Sequence, residues 1–243
     1  MKRLPLVFWL LLTMLLPGQG CTRLPGKPGP GPEVPRPDSV LDPVVLYSAN
    51  CAGCHGADGQ HGPAMALSDP VYLVIADNNV LHSTIAKGRP GTAMSAFSQK
   101  EGGMLTDEQI ESIVGGIRER WGGSPRLGAT PPPYESTVPG DAQRGEAVYA
   151  TFCASCHGGK GQAGPKAGSV TDPAYLSLIS DQGLRTLVIT GRPDFGAPDW
   201  RGNVPGSPMT DQEISDVVAW LSSQRPASAA DIEAANLVSG GGR

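Results

Sequence analysis

No stretch of this sequence is apolar for long enough to cross a bilayer comfortably. The most apolar run, Leu4–Leu16, has 13 residues, and a spanning helix needs roughly 20. Basic residues are in deficit: 19 Lys and Arg stand against 23 Asp and Glu, which argues against a nucleic-acid partner. No cysteine is left to pair with Cys21, because the other four of the five form two tight pairs. No run of alternating apolar and polar residues marks a sheet. No constellation of general acid and base groups marks a substrate pocket.

What is present begins with the pattern of an export leader. Lys2 and Arg3 precede the apolar run, and Gly18 and Gly20 supply small side chains before a cut. This pattern predicts a signal peptide over residues 1–20, cleaved before Cys21. Cys21 then becomes the first residue of the mature chain, the position at which bacterial lipoproteins carry diacylglycerol. "LLPGQGC" matches a lipobox in part, with Gly18 where Leu is usual. A free thiol on an ordinary secreted N-terminus is the alternative. The reading favoured is an exported protein, periplasmic or at the cell surface, anchored to the membrane through lipidated Cys21. Removing residues 1–20 takes away two positive charges, so 17 basic residues face 23 acidic ones and the formal charge is −6. That balance is compatible with a basic docking partner.

Residues 21–43 are rich in Pro and Gly and read as a semi-extended tether. At about 3.1 Å per residue they would reach roughly 60 Å. A second Pro/Gly-rich linker at 122–140 separates bodies at 44–121 and 141–225, and residues 226–243 read as a polar tail. The two bodies are copies. "LYSANCAGCHGADGQHGP" (46–63) matches "VYATFCASCHGGKGQAGP" (148–165), "SDPVYL" matches "TDPAYL", Gly-Arg-Pro recurs at 88 and 191, and "LTDEQIESIVGGI" matches "MTDQEISDVVAWL". The offset drifts from 102 to 104, as expected of a duplicated folding unit with small loop insertions.

Each copy reads as helical. Residues 142–152 carry helix-spaced apolar side chains, and a middle helix is expected at about 184–189. The last helix opens with Thr210 and Glu213 in a capping-box pattern, with Ile214, Val217, Val218 and Leu221 as its buried stripe. About eighty residues make a small core, so each copy needs a staple or a large apolar insert. "CAGCH" (51–55) and "CASCH" (153–157) supply one. Cys-x-x-Cys-His is the attachment signature of c-type haem. Two thiols on one helical turn can each form a thioether, and the next residue is placed as an axial ligand. A redox dithiol lacks the βαβ context it would need. Zinc would not suit two self-contained sites with His directly after the second Cys.

On these motifs each copy resembles a class I cytochrome c, and the chain resembles dihaem cytochromes c over 44–121 and 141–225. The resemblance implies an all-α fold of two tandem class I cytochrome c domains, with two covalently attached haems c. Attachment falls to Cys51, Cys54, Cys153 and Cys156, with His55 and His157 as axial ligands. It implies a methionine as the second axial ligand, from the loop after Gly-Arg-Pro. In the first copy that residue is Met94, with Met65 and Met104 as rivals for which core filling is the default.

By the same matching, Pro63 and Pro165 would place a carbonyl on the ligand imidazoles, or be plain loop prolines. Arg89 and Arg192 would pair with haem propionates, or be solvated turn arginines. His61 and His82, matched by Ala163 and Arg185, are expected in surface or structural roles. The family pairs a small residue on the first helix with an aromatic on the last. Gly145 and Trp220 make that pair in the second copy, but Pro43 and Gly116 stand there in the first, so that crossing must pack differently.

Where the first copy has Met94, the second has Ala197. The second haem is then expected to have an open or weakly ligated sixth position, with Met209 or Lys166 as the alternative ligands. Met209 stands in the slot of Leu105, which favours core packing. The function expected is electron transfer among membrane respiratory or photosynthetic complexes, not enzymatic turnover. A peroxidase, a sulfur-compound oxidase or a small-ligand sensor using the open haem are the alternatives.

Overall fold

The computed structural model describes residue 31 and residues 34–226. The expected signal peptide, Cys21 and the tail from residue 227 onward lie outside the described residues. The described residues form ten α-helices and three short 3₁₀ turns, with two isolated bridges and no strand. The fold is all-α, as the sequence predicts.

The first copy contains α1 (Pro43–Asn50), α2 (Ala52–His55), α3 (Pro70–Ile75), α4 (Asn78–Lys87) and α5 (Asp107–Trp121). The second repeats them as α6 (Ala142–Phe152), α7 (Ala154–His157), α8 (Pro173–Ser177), α9 (Asp181–Thr190) and α10 (Asp211–Ser223). In each copy the first helix crosses the last, and the middle helix packs on the last. Three of these helices start with Asp-Pro. Asp42 accepts from Val44 N–H at 2.8 Å, Asp69 from Tyr72 N–H at 2.8 Å and Asp172 from Tyr175 N–H at 2.9 Å. Proline costs nothing at the next position, because its missing N–H would have had no helical partner. Both last helices carry capping boxes, Thr106 with Gln109 and Thr210 with Glu213. The stripe Ile214, Val217, Val218 and Leu221 is buried, as its spacing predicts.

The two helix crossings use opposite halves of a large–small pair. In the second copy Gly145 lets α6 approach α10 so closely that an added Cβ would lie 2.0 Å from Asp216 O and 2.7 Å from Trp220 Cβ. Trp220 then stacks on Tyr149, with centroids 4.4 Å apart. In the first copy the small residue has moved to the last helix. A Cβ on Gly116 would lie 2.4 Å from Pro43 Cβ, and Trp121, one turn on, meets Tyr47 edge-on at 5.2 Å. Gly116→Ala should therefore overpack this crossing and destabilise the protein by about 1–3 kcal/mol. An unchanged denaturation midpoint would contradict that packing.

Residues on both sides of the first body are tied down. Gln109 Nε2 donates to Pro37 O and Val40 O, and Ser112 Oγ to Leu41 O. Residues 122–140 contribute Leu127 to the second core and Tyr134 to the first. Tyr134 O also accepts from Gln182 at 2.7 Å and from Arg185. Arg185, the counterpart of His82, is buried at 3% exposure. Its guanidinium reaches Pro133 O, Ser215 and the Asp211 carboxylate. The copies also touch directly: α3 packs on α9, and Val71, 2% exposed, belongs to the second core. Arg185→Ala would leave the Asp211 carboxylate without its cation and Pro133 O without a donor. We expect a loss of about 3 kcal/mol, read by chemical denaturation.

Candidate functional site

The two attachment turns are built alike. Cys51 ends α1 and begins α2, so the backbone N–H groups of Cys54 and His55 both reach Cys51 O, at 3.2 and 3.0 Å. The second copy repeats this with Cys156 and His157 on Cys153 O, at 3.1 and 3.0 Å. Each turn closes on a glycine in a positive-φ conformation, Gly56 at 83° and Gly158 at 81°. A side chain at Gly56 would collide with Gln60 O, 1.9 Å from an added Cβ. The glycine carbonyls accept from Tyr47 Oη and Tyr149 Oη, both at 2.8 Å. Cys51, Cys54, Cys153 and Cys156 are not paired in disulfides.

Both histidines are oriented through Nδ1. His55 Nδ1 lies 2.8 Å from Met65 O, and His157 Nδ1 lies 2.8 Å from Gly168 O. A carbonyl can only accept, so the proton sits on Nδ1 and the Nε2 lone pair is left for a metal. This corrects the role expected of Pro63 and Pro165: the carbonyls belong to residues two and three positions further along. Burial and the Arg192 charge lower the pKa of His55, opposed by its bond to Met65 O. The neutral form favoured is the one that ligates iron.

The surroundings of Cys51 and Cys153 do not favour a reactive thiolate. Burial, reinforced by the neighbouring cysteine, pushes the Cys51 thiol up to about 11 and the Cys153 thiol to about 12. A working dithiol needs the opposite shift. Among the described residues no group of three His, Cys, Asp or Glu side chains is placed to hold a metal ion.

On the other side of each pocket the backbone identifies equivalent positions. Arg89 N–H donates to Met94 O at 2.8 Å, and Arg192 N–H donates to Ala197 O at 3.0 Å. Ala197 thus occupies the place of Met94. Leu105 N–H donates to Phe97 O at 2.7 Å, and Met209 N–H to Trp200 O at 2.9 Å. Met209 therefore stands in the Leu105 slot and is 3% exposed in the second core, its sulfur 3.9 Å from Asn203 Nδ2. Met94 is half-buried, Met65 packs on the first core, and Met104 is 75% exposed on the surface. Lys166 is exposed. Arg89 and Arg192 both hold protein partners: Thr84 and Tyr134 for the first, Asp194 and Gly62 for the second. His61 is exposed, and His82 is half-buried.

Two thiols and an oriented imidazole on one turn, present twice, fit covalent haem c. The family model described as "Cytochrome C oxidase, cbb3-type, subunit III" matches residues 38–115 and again 140–221. The chain belongs to this family. Its two matched regions are cytochrome c domains, whose cofactor is covalently bound haem c.

Among relatives, the chain is 30% identical to "Cbb3-type cytochrome c oxidase subunit CcoP" of Azospirillum sp. (strain B510), over 50% of this chain and 40% of that protein. It is 28% identical to the corresponding FixP subunit of Bradyrhizobium diazoefficiens, over 67% of this chain and 55% of that one. It is 26% identical to "Cytochrome bc1 complex cytochrome c subunit" of Mycobacterium bovis, over 60% of this chain and 51% of the relative. The chain thus spans about half the length of the curated relatives it matches. No helix among the described residues is long and apolar enough to cross a membrane.

Proposed function

We propose that this chain is a dihaem c-type cytochrome that passes electrons between membrane redox complexes on the periplasmic or outer face. The observation that carries the reading is the repeated turn: two cysteines and a histidine whose Nδ1 is held by a backbone carbonyl. Haem supplies the one-electron couple. The chain supplies covalent attachment at Cys51, Cys54, Cys153 and Cys156, imidazole ligands at His55 and His157, and a thioether at Met94. With haem bound, the soft Met94 thioether would favour reduced iron and raise the first potential. Relatives named as oxidase and bc1 subunits support membrane respiratory complexes as partners. Lipidation at Cys21 would keep the protein beside them, since a lipoprotein's several acyl chains bind where one would not.

Ala197 favours a second reading for the second haem alone, as a site that takes a small neutral ligand. A reductive titration followed by optical and EPR spectra tests both readings. Two haems, one with a sulfur-to-iron band, and rapid electron exchange with a bc1-type or oxidase preparation are expected. A single haem, or no exchange with any such partner, would overturn the carrier. Turnover of peroxide or thiosulfate would replace it with an enzyme.

A further inference from the structure

The residues that distinguish the two copies around their haem loops are the residues that meet. His61 has Ala163 as its counterpart, and Asp194 and Phe195 stand where the first copy has Gly91 and Thr92. In the folded chain these three form one joint. His61 N–H donates to Asp194 Oδ2 at 2.9 Å, and the His61 ring meets Phe195 edge-on at 6.0 Å. Arg192 lies between them. Its guanidinium grips Asp194 with two bonds of 2.9 and 2.8 Å, covers the Phe195 ring at 4.5 Å, and donates to Gly62 O at 2.9 Å. The Asp194 side chain is 3% exposed and that of Arg192 19%, so the pair is largely desolvated and breaking it leaves a charge behind. His61 adopts a positive φ of 62°, a conformation uncommon outside glycine, Asn, Asp and His.

The joint touches both haem environments. Gly62 belongs to the loop between His55 and Met65, whose carbonyl orients the His55 ring. That loop lies on the attachment turn so closely that a Cβ at Gly62 would be 2.2 Å from Cys54 O. Arg192 also exchanges two backbone bonds with Ala197, at 3.0 and 2.9 Å. A cation from the second copy is thereby held against the loop of the first copy that orients His55.

We infer that Arg192, locked by Asp194, is a positioning residue supplied across the joint by the second copy, and that this ion pair sets the reduction potential of the first haem. The inference rests on His55 and Met94 being the axial ligands of that haem. A nearby cation favours the less positive, reduced iron, and a nearby anion opposes it.

The test is a spectroelectrochemical titration of the full-length dihaem protein, following the first haem through its sulfur-to-iron band. Arg192→Gln should lower the first midpoint and Asp194→Asn should raise it. Each shift should be about a tenfold change in the reduced-to-oxidised ratio, or about 59 mV for one electron. The second midpoint should move less in both variants. Arg192→Lys, which keeps the charge without the fork, should stay closer to wild type than Arg192→Gln. Shifts of the same sign, equal shifts in both haems, or none would overturn the inference, because mere loosening of the joint cannot give opposite signs. If the ligation reading is wrong, the wild-type protein itself shows this by lacking the sulfur-to-iron band.

Discussion

Replacing Cys51 and Cys54 together with alanine should remove one haem from the mass of the exported protein and melt the first copy around it. The reason lies in the size of the core. The first cluster comprises fourteen buried residues, from Leu46 to Ile117, in a body of about eighty. Bodies of this size rarely hold more than about 3–5 kcal/mol from side-chain packing alone. The cysteines also sit where α1 hands over to α2, so an untethered turn frays into the Tyr47 contacts on Gly56 and Trp121.

The loss would not stop at the linker. Val71 lies in the second core, Ile75 packs beside it, and Tyr134 joins the linker to both copies. Exposing Val71 alone should cost the second copy about 1.5–3 kcal/mol. The expected result is a large fall in far-UV ellipticity together with a lower denaturation midpoint for the surviving haem copy. Near-wild-type ellipticity and an unchanged midpoint would mean that the haem is not structural here.

The parts of this molecule legible in the sequence are those governed by local chemistry. The α6 boundaries at Ala142 and Phe152 match the apolar spacing, and the α10 stripe and cap match theirs. The middle helix starts three residues earlier than the apolar pattern indicates, because Ser180 caps it by accepting from Gly183 N–H. The first copy's capping box follows the same pattern, with Gln109 in place of the glutamate. The imidazole-orienting carbonyls belong to Met65 and Gly168, not to the prolines that family matching indicates. The loops place those carbonyls ten residues after His55 and eleven after His157, so no fixed spacing from the motif identifies them.

The joint between the copies is not legible in the sequence, because His61 and Asp194 are 133 residues apart and no local pattern registers such a contact. One signal was available all the same. Side chains present in only one copy, such as His61, Asp194 and Phe195, have no job in the shared fold and are candidates for contacts between copies. Arg185 in place of His82 obeys the same logic, since its carbonyl partners Pro133 and Tyr134 lie in the linker between the copies.

The sharpest consequence of the duplication is a reciprocal exchange at Met94 and Ala197. The matching backbone bonds, Arg89 to Met94 and Arg192 to Ala197, make these two positions equivalent, so a thioether can be moved from one copy to the other. Axial ligands set haem potentials over a range of about 0.8 V, which makes this the largest redox effect a single substitution here should have. Met94→Ala should abolish the sulfur-to-iron band, lower the first midpoint by on the order of 100 mV, and let carbon monoxide bind both reduced haems instead of one. Ala197→Met should do the reverse, adding a band and closing the second haem to carbon monoxide. Met209 is the internal control. Buried under α10 in the Leu105 slot, it should be replaceable by leucine with little change in either spectrum, at a cost below about 1.5 kcal/mol. If Met209→Leu instead opened the second haem to carbon monoxide, the sulfur would have to leave its core position to bind iron, and Ala197 would not mark an open site.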